Sequence, residues 1–354
     1  MTLRAGRALH ASGAFRSTET RRIALPTMSL PVYLAPLRGV TLCDFRACLG
    51  EQFHGIRAAL APFIALGGPG RVKPSMLADV LPEANGPLQT IPQIIGKDPA
   101  AFSDMLKALR DLGYEKANLN CGCPWKFVAK KGRGSGLPEN PAAFEKMLET
   151  GCANMPNGFS IKIRLGYAST DTLAARLDCI NRYPLSAIIV HPRTGIQMYG
   201  GHVHLDVFAN LLPHFQAPVI YNGDIFTPAD AIQIAKRFPT LQGLMIGRGL
   251  CQNPALAEEI AAAFQAVSDG LPIPESRHDD AFRARVLRFA NTLTDRYAAK
   301  LCGPAPLMGR LKELWSYLHA SFESTDTGLR QIQRAPDLPF LLSAIESLVA
   351  ENRQ

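Results

Sequence analysis

TIPQIIGKDPAAFSDMLKALRDLGYEKANLNCGCP, residues 90–124, carries the pattern that decides the fold. Thr90 to Ile95 is a short apolar run with strand character, Ala100 to Leu112 repeats its apolar residues at helical spacing, and Lys116 to Asn120 is a second strand signal. Strand and helix taking turns implies parallel pairing through crossovers. The same alternation extends in both directions. Further strands are expected at Val32 to Leu37, Ala58 to Leu66, Ser160 to Leu165, Ala187 to His191, Pro218 to Asn222 and Gly243 to Gly247. Helices are expected at Pro141 to Gly151, Thr172 to Tyr183, Pro228 to Phe238 and Pro254 to Phe264. Eight strands in about 230 residues suit an α/β fold of the (β/α)8 TIM-barrel type. An open doubly wound sheet is the alternative, but no G-x-G-x-x-G follows the first strand.

The 354 residues, 47% hydrophobic, suffice for one large domain and a smaller one. No apolar run reaches the eighteen or so residues that would cross a bilayer, so a soluble protein without a membrane partner is expected. Eight scattered cysteines lack the spacing of a disulfide framework and point to free thiols in the cytoplasm. The net charge is +8; five arginines against Glu19 place +4 of it in residues 1–27, leaving +4 for the remainder. Residues 1–27 read as a disordered N-terminal extension, residues 28–265 as the barrel. After Gln265 a Pro- and Asp-rich linker leads into helical periodicity only, at Ala281 to Lys300, Pro306 to Phe322 and Leu338 to Glu351. Residues 266–354 are therefore expected to be a smaller helical-bundle domain. Its Arg283, Arg285, Arg310 and Lys312 read either as a solvated face or as a grip on RNA phosphates.

Barrels place their chemistry at the C-terminal strand ends. Those ends are polar here: Pro36, Leu37 and Arg38 follow the first strand, and Gln93 lies in the third. Asn120 and Cys123 end the fourth, and Lys162 lies in the fifth. His191 and Arg193 end the sixth, Asn222, Gly223 and Asp224 the seventh, Gly247 and Arg248 the eighth. Pro124 stiffens the backbone after Cys123 and presents its thiol at a defined angle. Cys121 and Cys123, as C-x-C, are poorly spaced for zinc, and Cys121 is read as packing. His202 and His204 lack a third ligand, so no metal is expected. A lysine inside the apolar strand Ser-Ile-Lys-Ile-Arg is costly to bury without an anion, so Lys162 should meet a negative group. Gly223 and the Gly247-Arg248-Gly249 triplet lie where barrels commonly bind phosphate.

Taken together, these residues resemble the tRNA-dihydrouridine synthases. The likeness runs from about Val32 to the end. It rests on APLRGVT at 35–41, PQIIG at 92–96, NLNCGCP at 118–124, IKIRLG at 161–166, VHPRT at 190–194, NGDI at 222–225 and MIGRG at 245–249. NLNCGCP is the most specific. The resemblance implies an FMN held by Pro36 to Arg38, Gln93, Asn120, Lys162, His191, Asn222 to Asp224, Gly247 and Arg248. It also implies NADPH as reductant and tRNA as partner; Arg193 and the four tail cations are expected on the RNA, and a monomer is expected. Cys123 would be the general acid protonating C5 of a uracil whose C5=C6 bond accepts hydride, and Lys162 would offset charge on the reduced flavin. The GRLKELWSYLHASF segment is similar to the bacterial subgroup acting on uridine 16. Departures from the family pattern are the KKGRGSGLPEN loop, Leu37-Arg38, and Pro192 where glycine usually follows the histidine; they bear on substrate position and loop closure. Two rival readings are another FMN barrel acting on a small substrate and a non-catalytic tRNA-binding protein.

Overall fold

The computed structural model describes residues 29–276, 278–322 and 326–350. The expectation for residues 1–27 lies outside them. Ten strands are described: β1 (Val32–Leu34), β2 (Ile56–Leu60), β3 (Ile64–Ala65), β4 (Thr90–Ile91), β5 (Gln93–Ile95), β6 (Ala117–Cys121), β7 (Phe159–Gly166), β8 (Ala187–Thr194), β9 (Val219–Asn222) and β10 (Gly243–Ile246). Every pairing is parallel, in the order β3-β5-β6-β7-β8-β9-β10-β1-β2-β4. Its two ends meet in the sequence. β4 and β5 are one strand broken by Pro92, which has no N–H for the ladder, while its carbonyl still accepts from Asn118 N at 2.9 Å. β4 pairs with β2 and β5 with β6, so eight strand passes close a barrel and β3 is a short addition beside β5.

Alternation along the strands separates two apolar layers. Inside the barrel Ala35, Leu60, Ile189, Ile220 and Met245 form a compact plug. Outside, Ile161, Ile163 and Leu165 of β7 join the larger core beneath the helices. These helices include α1 (Cys43–Gln52), α2 (Pro74–Leu77), α3 (Pro99–Asp111), α4 (Lys126–Ala129), α5 (Pro141–Asn154), α6 (Leu177–Asn181), α7 (Leu205–Leu211), α8 (Pro228–Arg237), α9 (Arg248–Gln252) and α10 (Leu256–Ser268). The expected helix from Thr172 to Tyr183 is shorter, a 3₁₀ turn at Ala174–Arg176 followed by α6. Sequence reading missed α1, whose buried face includes Arg46. Arg46 is satisfied by the Thr41 carbonyl, Asp79 and Asn85, so a charged residue stands where an apolar one would have announced the helix.

Residues 271–276 carry no regular structure and lead to α11 (Asp280–Lys300), α12 (Pro304–Leu318), α13 (Asp326–Arg334) and α14 (Leu338–Ala350). These helices are continuous with the barrel's outer core. Phe289 of α11 meets Phe45 and Phe53 edge-on, with ring centroids 5.4 and 5.7 Å apart. Three ion pairs border this seam: Arg285–Glu258, Arg296–Glu51 and Lys300–Asp44. No helix among the described residues is long and apolar enough to cross a membrane.

Phe289 is fully buried, so Phe289→Ala should cost about 3–5 kcal/mol. Chemical denaturation should show a lower midpoint for barrel and tail together; a tail that melts separately while the barrel is unaffected would contradict a shared core.

Candidate active site

The inner plug ends below a ring of polar side chains at the C-terminal edge of the sheet. Register explains how they meet. Gln93 lies beside Asn118, Asn118 beside Ser160, and Asn120 beside Lys162. Gln93 donates to Asn118 at 2.8 Å and accepts from Asn120 at 2.8 Å, while Asn118 donates to Ser160 Oγ at 2.8 Å. This buried chain of amides has its donors and acceptors matched, as buried polar groups require.

Asn120 carries the chain into the thiol loop. Its Oδ1 accepts the N–H groups of Gly122 at 3.1 Å and Cys123 at 2.8 Å. From the other side, Ser135 donates both its N–H and its hydroxyl to the Cys123 carbonyl, at 3.1 and 2.8 Å. The return loop comes this close because Gly134 has φ of +58° and no Cβ; one added there would lie 2.8 Å from Cys123 Cβ. Burial pushes the Cys123 thiol up, against a hydrogen bond from the Trp125 backbone and the charges of Arg164, Arg38 and Lys162. It is therefore a thiol at neutral pH.

Thirteen of the fourteen residues expected at the mouth, from Pro36 to Arg248, line one open cleft of about 1060 Å³. Arg193 is the exception. It lies buried behind the lining, where it donates to both oxygens of Asp224 and to the carbonyls of Gly200 and Gly201. Its Nη1 lies 3.1 Å from His191 Nε2. A guanidinium only donates, so Nε2 accepts and the proton sits on Nδ1. Burial, then the charges of Arg164, Lys162, Arg193 and Arg248, hold His191 well below its ordinary value and keep it neutral. Asp224 adopts φ of +39° and also accepts from Arg248 at 2.8 Å. The Arg248 guanidinium lies 5.1 Å from the Tyr199 ring and 5.2 Å from the Phe226 ring.

Charge in the lining is one-sided. Arg38, Lys162, Arg164 and Arg248 face a single carboxylate, that of Asp224, which two arginines already share. Lys162 meets no carboxylate among the described residues.

None of the four tail cations lines this cleft. Arg285 is tied to Glu258 and the Gln52 carbonyl, Arg283 to Asp280 and the His278 carbonyl, Arg310 to the Gly39 carbonyl, and Lys312 to the Ala335 carbonyl. Sequence reading did not assign Tyr199, Phe63, Trp125 and Phe226 to the mouth. Tyr199 and Phe226 come from loops whose path no periodicity reveals; Trp125, two residues after Cys123, was within reach of inspection. His204 bonds to Gln197 at 3.0 Å, and no cluster of three metal-ligating side chains occurs among the described residues.

The Dihydrouridine synthase (Dus) family profile matches residues 33–295. A "Probable tRNA-dihydrouridine synthase" of Rhodobacter capsulatus is 30% identical over 255 residues, 70% of this chain and 76% of that protein. Similarity to two proteins named tRNA-dihydrouridine(16) synthase spans nearly their full length. That of Cupriavidus necator is 26% identical over 90% of this chain and 97% of its own; that of Pseudomonas putida is 27% identical over 91% and 99%.

Burial pushes the Lys162 ammonium down to about 7, with Arg164 adding to the effect. Its unfolded value is near 10.5. The unfolded chain then binds more protons between these values, so native stability rises with pH across the interval and bears the full penalty below it. Lys162→Met should therefore stabilise the ligand-free protein most at pH 6, with the gain shrinking towards pH 10. Thermal melts of both proteins across that range check it.

Proposed function

The chain belongs to the dihydrouridine synthase family, and from that premise we propose that it reduces the C5=C6 bond of a uridine in tRNA to 5,6-dihydrouridine, using FMN and NADPH. The single observation that carries the cofactor is the cation excess around Lys162, which meets no carboxylate among the described residues. A phosphorylated flavin fits that donor set. Arg248 and the backbone at Gly223 and Gly247 suit its phosphate, and the Gln93–Asn120 pair suits the polar edge of its ring. When bound, the reduced flavin supplies hydride to one carbon of the uracil double bond.

The chain's own residues account for the proton. Cys123 holds it as a thiol, because burial outweighs the nearby positive charges. Transfer to C5 leaves a thiolate, and Arg38, Lys162 and Arg164 are the cations that favour it. Proton donation from solvent then restores the thiol. Asn120 and Ser135 hold the backbone on either side of Cys123, so the thiol approaches a base from a fixed direction. Neutral His191, with its proton on Nδ1, offers a donor without adding a charge. Reaching C5 requires the base to leave its stack, at a cost of a few kcal/mol that RNA contacts must offset.

Uridine 16 is the position this reading favours, supported by the near full-length similarity to relatives named for that site. A cytoplasmic, monomeric enzyme with a barrel over residues 28–265 and a tRNA-binding helical region over 266–354 completes the proposal. Arg193 acts on RNA only indirectly here, by fixing Asp224 and the 200–201 turn.

Expression in a host lacking dihydrouridine, followed by mass-spectrometric mapping of its tRNA, tests the reading. Cys123→Ala should lower dihydrouridine formation by about 10²–10⁴-fold while the protein remains yellow. Unmodified tRNA from a flavin-loaded parent protein would overturn the substrate.

A further inference from the structure

The segment after Cys123 presents a surface that the chemistry of the cleft leaves unused. Trp125 is 57% exposed and Phe127 77% exposed. From Pro124 to Pro138 the chain has Lys126, Lys130, Lys131 and Arg133 and no Asp or Glu. Leaving two aromatic side chains largely in water forgoes the gain of burying them. Such a cost asks for a partner.

Three observations say which partner. First, Lys126 lies between the two aromatics in the chain and Lys130 and Lys131 follow within six residues of Trp125, all three exposed. Bases stack on aromatic faces while cations meet phosphates, so this pairing suits single-stranded nucleic acid. Secondly, the rings sit on an ordered turn. Val128 and Ala129 donate to the Trp125 carbonyl at 2.8 and 2.9 Å, and Ser135 clamps Cys123 from beyond the turn. Thirdly, Trp125 lines the rim of the cleft and its backbone bonds the thiol, whereas Phe127 lies outside the lining. A nucleotide strand entering the cleft therefore passes the indole on its way.

We propose that Trp125 and Phe127 form a stacking ledge for the nucleotides beside the target uridine, with Lys126, Lys130 and Lys131 on their phosphates. This inference rests on the tRNA reading of the site. A uridine drawn out to Cys123 exposes the faces of its neighbours, and the ledge replaces the stacking they lose. Stacking is tolerant of base identity, so the ledge adds affinity and holds the opened strand without choosing the sequence.

The chain has two tryptophans, and Trp315 is 2% exposed, so a change in indole fluorescence on adding RNA reports on Trp125. Titrating the holoenzyme with a short uridine-containing single-stranded RNA should quench that emission. Affinity for labelled RNA and for tRNA should fall about tenfold in Trp125→Ala and in Phe127→Ala. Trp125→Phe should recover most of the loss, and the KM for tRNA should rise more than kcat falls. Exposed rings leave the fold intact, which unchanged thermal melts of the variants would register. Unaltered RNA affinity in the double variant, or absence of quenching, overturns the ledge. Self-association that Phe127→Ala abolishes, with RNA affinity intact, also overturns it and assigns the rings to a second copy of the chain. If the parent protein makes no dihydrouridine yet the variants lose RNA affinity, the tRNA-reduction reading falls and the ledge stands. Dihydrouridine formed with the same KM by parent and variants has the opposite meaning.

Discussion

Asn120 is held at both ends of its side-chain amide. The nitrogen donates to Gln93 inside the barrel and the oxygen accepts the backbone of Gly122 and Cys123. One residue thereby connects a rigid, fully paired network across three strands to the loop carrying the thiol. Loops generally wander more than the elements they join; this one does not have that freedom. On its far side the Cys123 carbonyl is fixed by Ser135, in a crossing that only the missing Cβ of Gly134 permits. The KKGRGSGLPEN loop thus includes the residues that lock the thiol in place.

Electrostatics at the mouth follow from the same rigidity. Lys162 emerges between Asn120 and Ile189 on a strand whose other face is occupied by Ile161 and Ile163, so it has no route to bulk solvent except through the cleft. Desolvation depresses its affinity for a proton, and Arg164 depresses it further. Asp224, in a left-handed backbone conformation, is fully engaged by Arg193 and Arg248. A site with this imbalance stores unfavourable energy that an anionic ligand relieves, and strained residues gather at such sites.

The helices beyond residue 279 have a different relation to charge. Their basic residues were legible as a group, and charge alone could not distinguish a phosphate grip from an internal seam. Arg285 reaches Glu258 and Arg296 reaches Glu51, acids that lie 27 and 245 residues away in the chain. Exposed pairs of this kind contribute little individually; the seam is held chiefly by Phe289 between Phe45 and Phe53. The cations that act on the Cys123 thiol are instead Arg38, Lys162 and Arg164, all supplied by the barrel.

Strand period, helix period and their alternation determined the barrel, because apolar runs separated by amphipathic crossovers have few other ways to bury their surface. They also determined which side chains end the strands, and so which residues gather at its mouth. Helix α1 escaped because buried Arg46 interrupts its apolar face, and the third strand appeared continuous because Pro92 breaks hydrogen bonding without changing the chain's direction. Only tertiary structure decided the rest: that Arg193 turns away from the cleft to hold Asp224, that the tail arginines are paired, and that Tyr199 and Phe226 flank Arg248. Each depends on groups far apart in sequence meeting across a loop or a seam. Local periodicity carries no record of such meetings, since they arise from where the closed barrel brings its loops together.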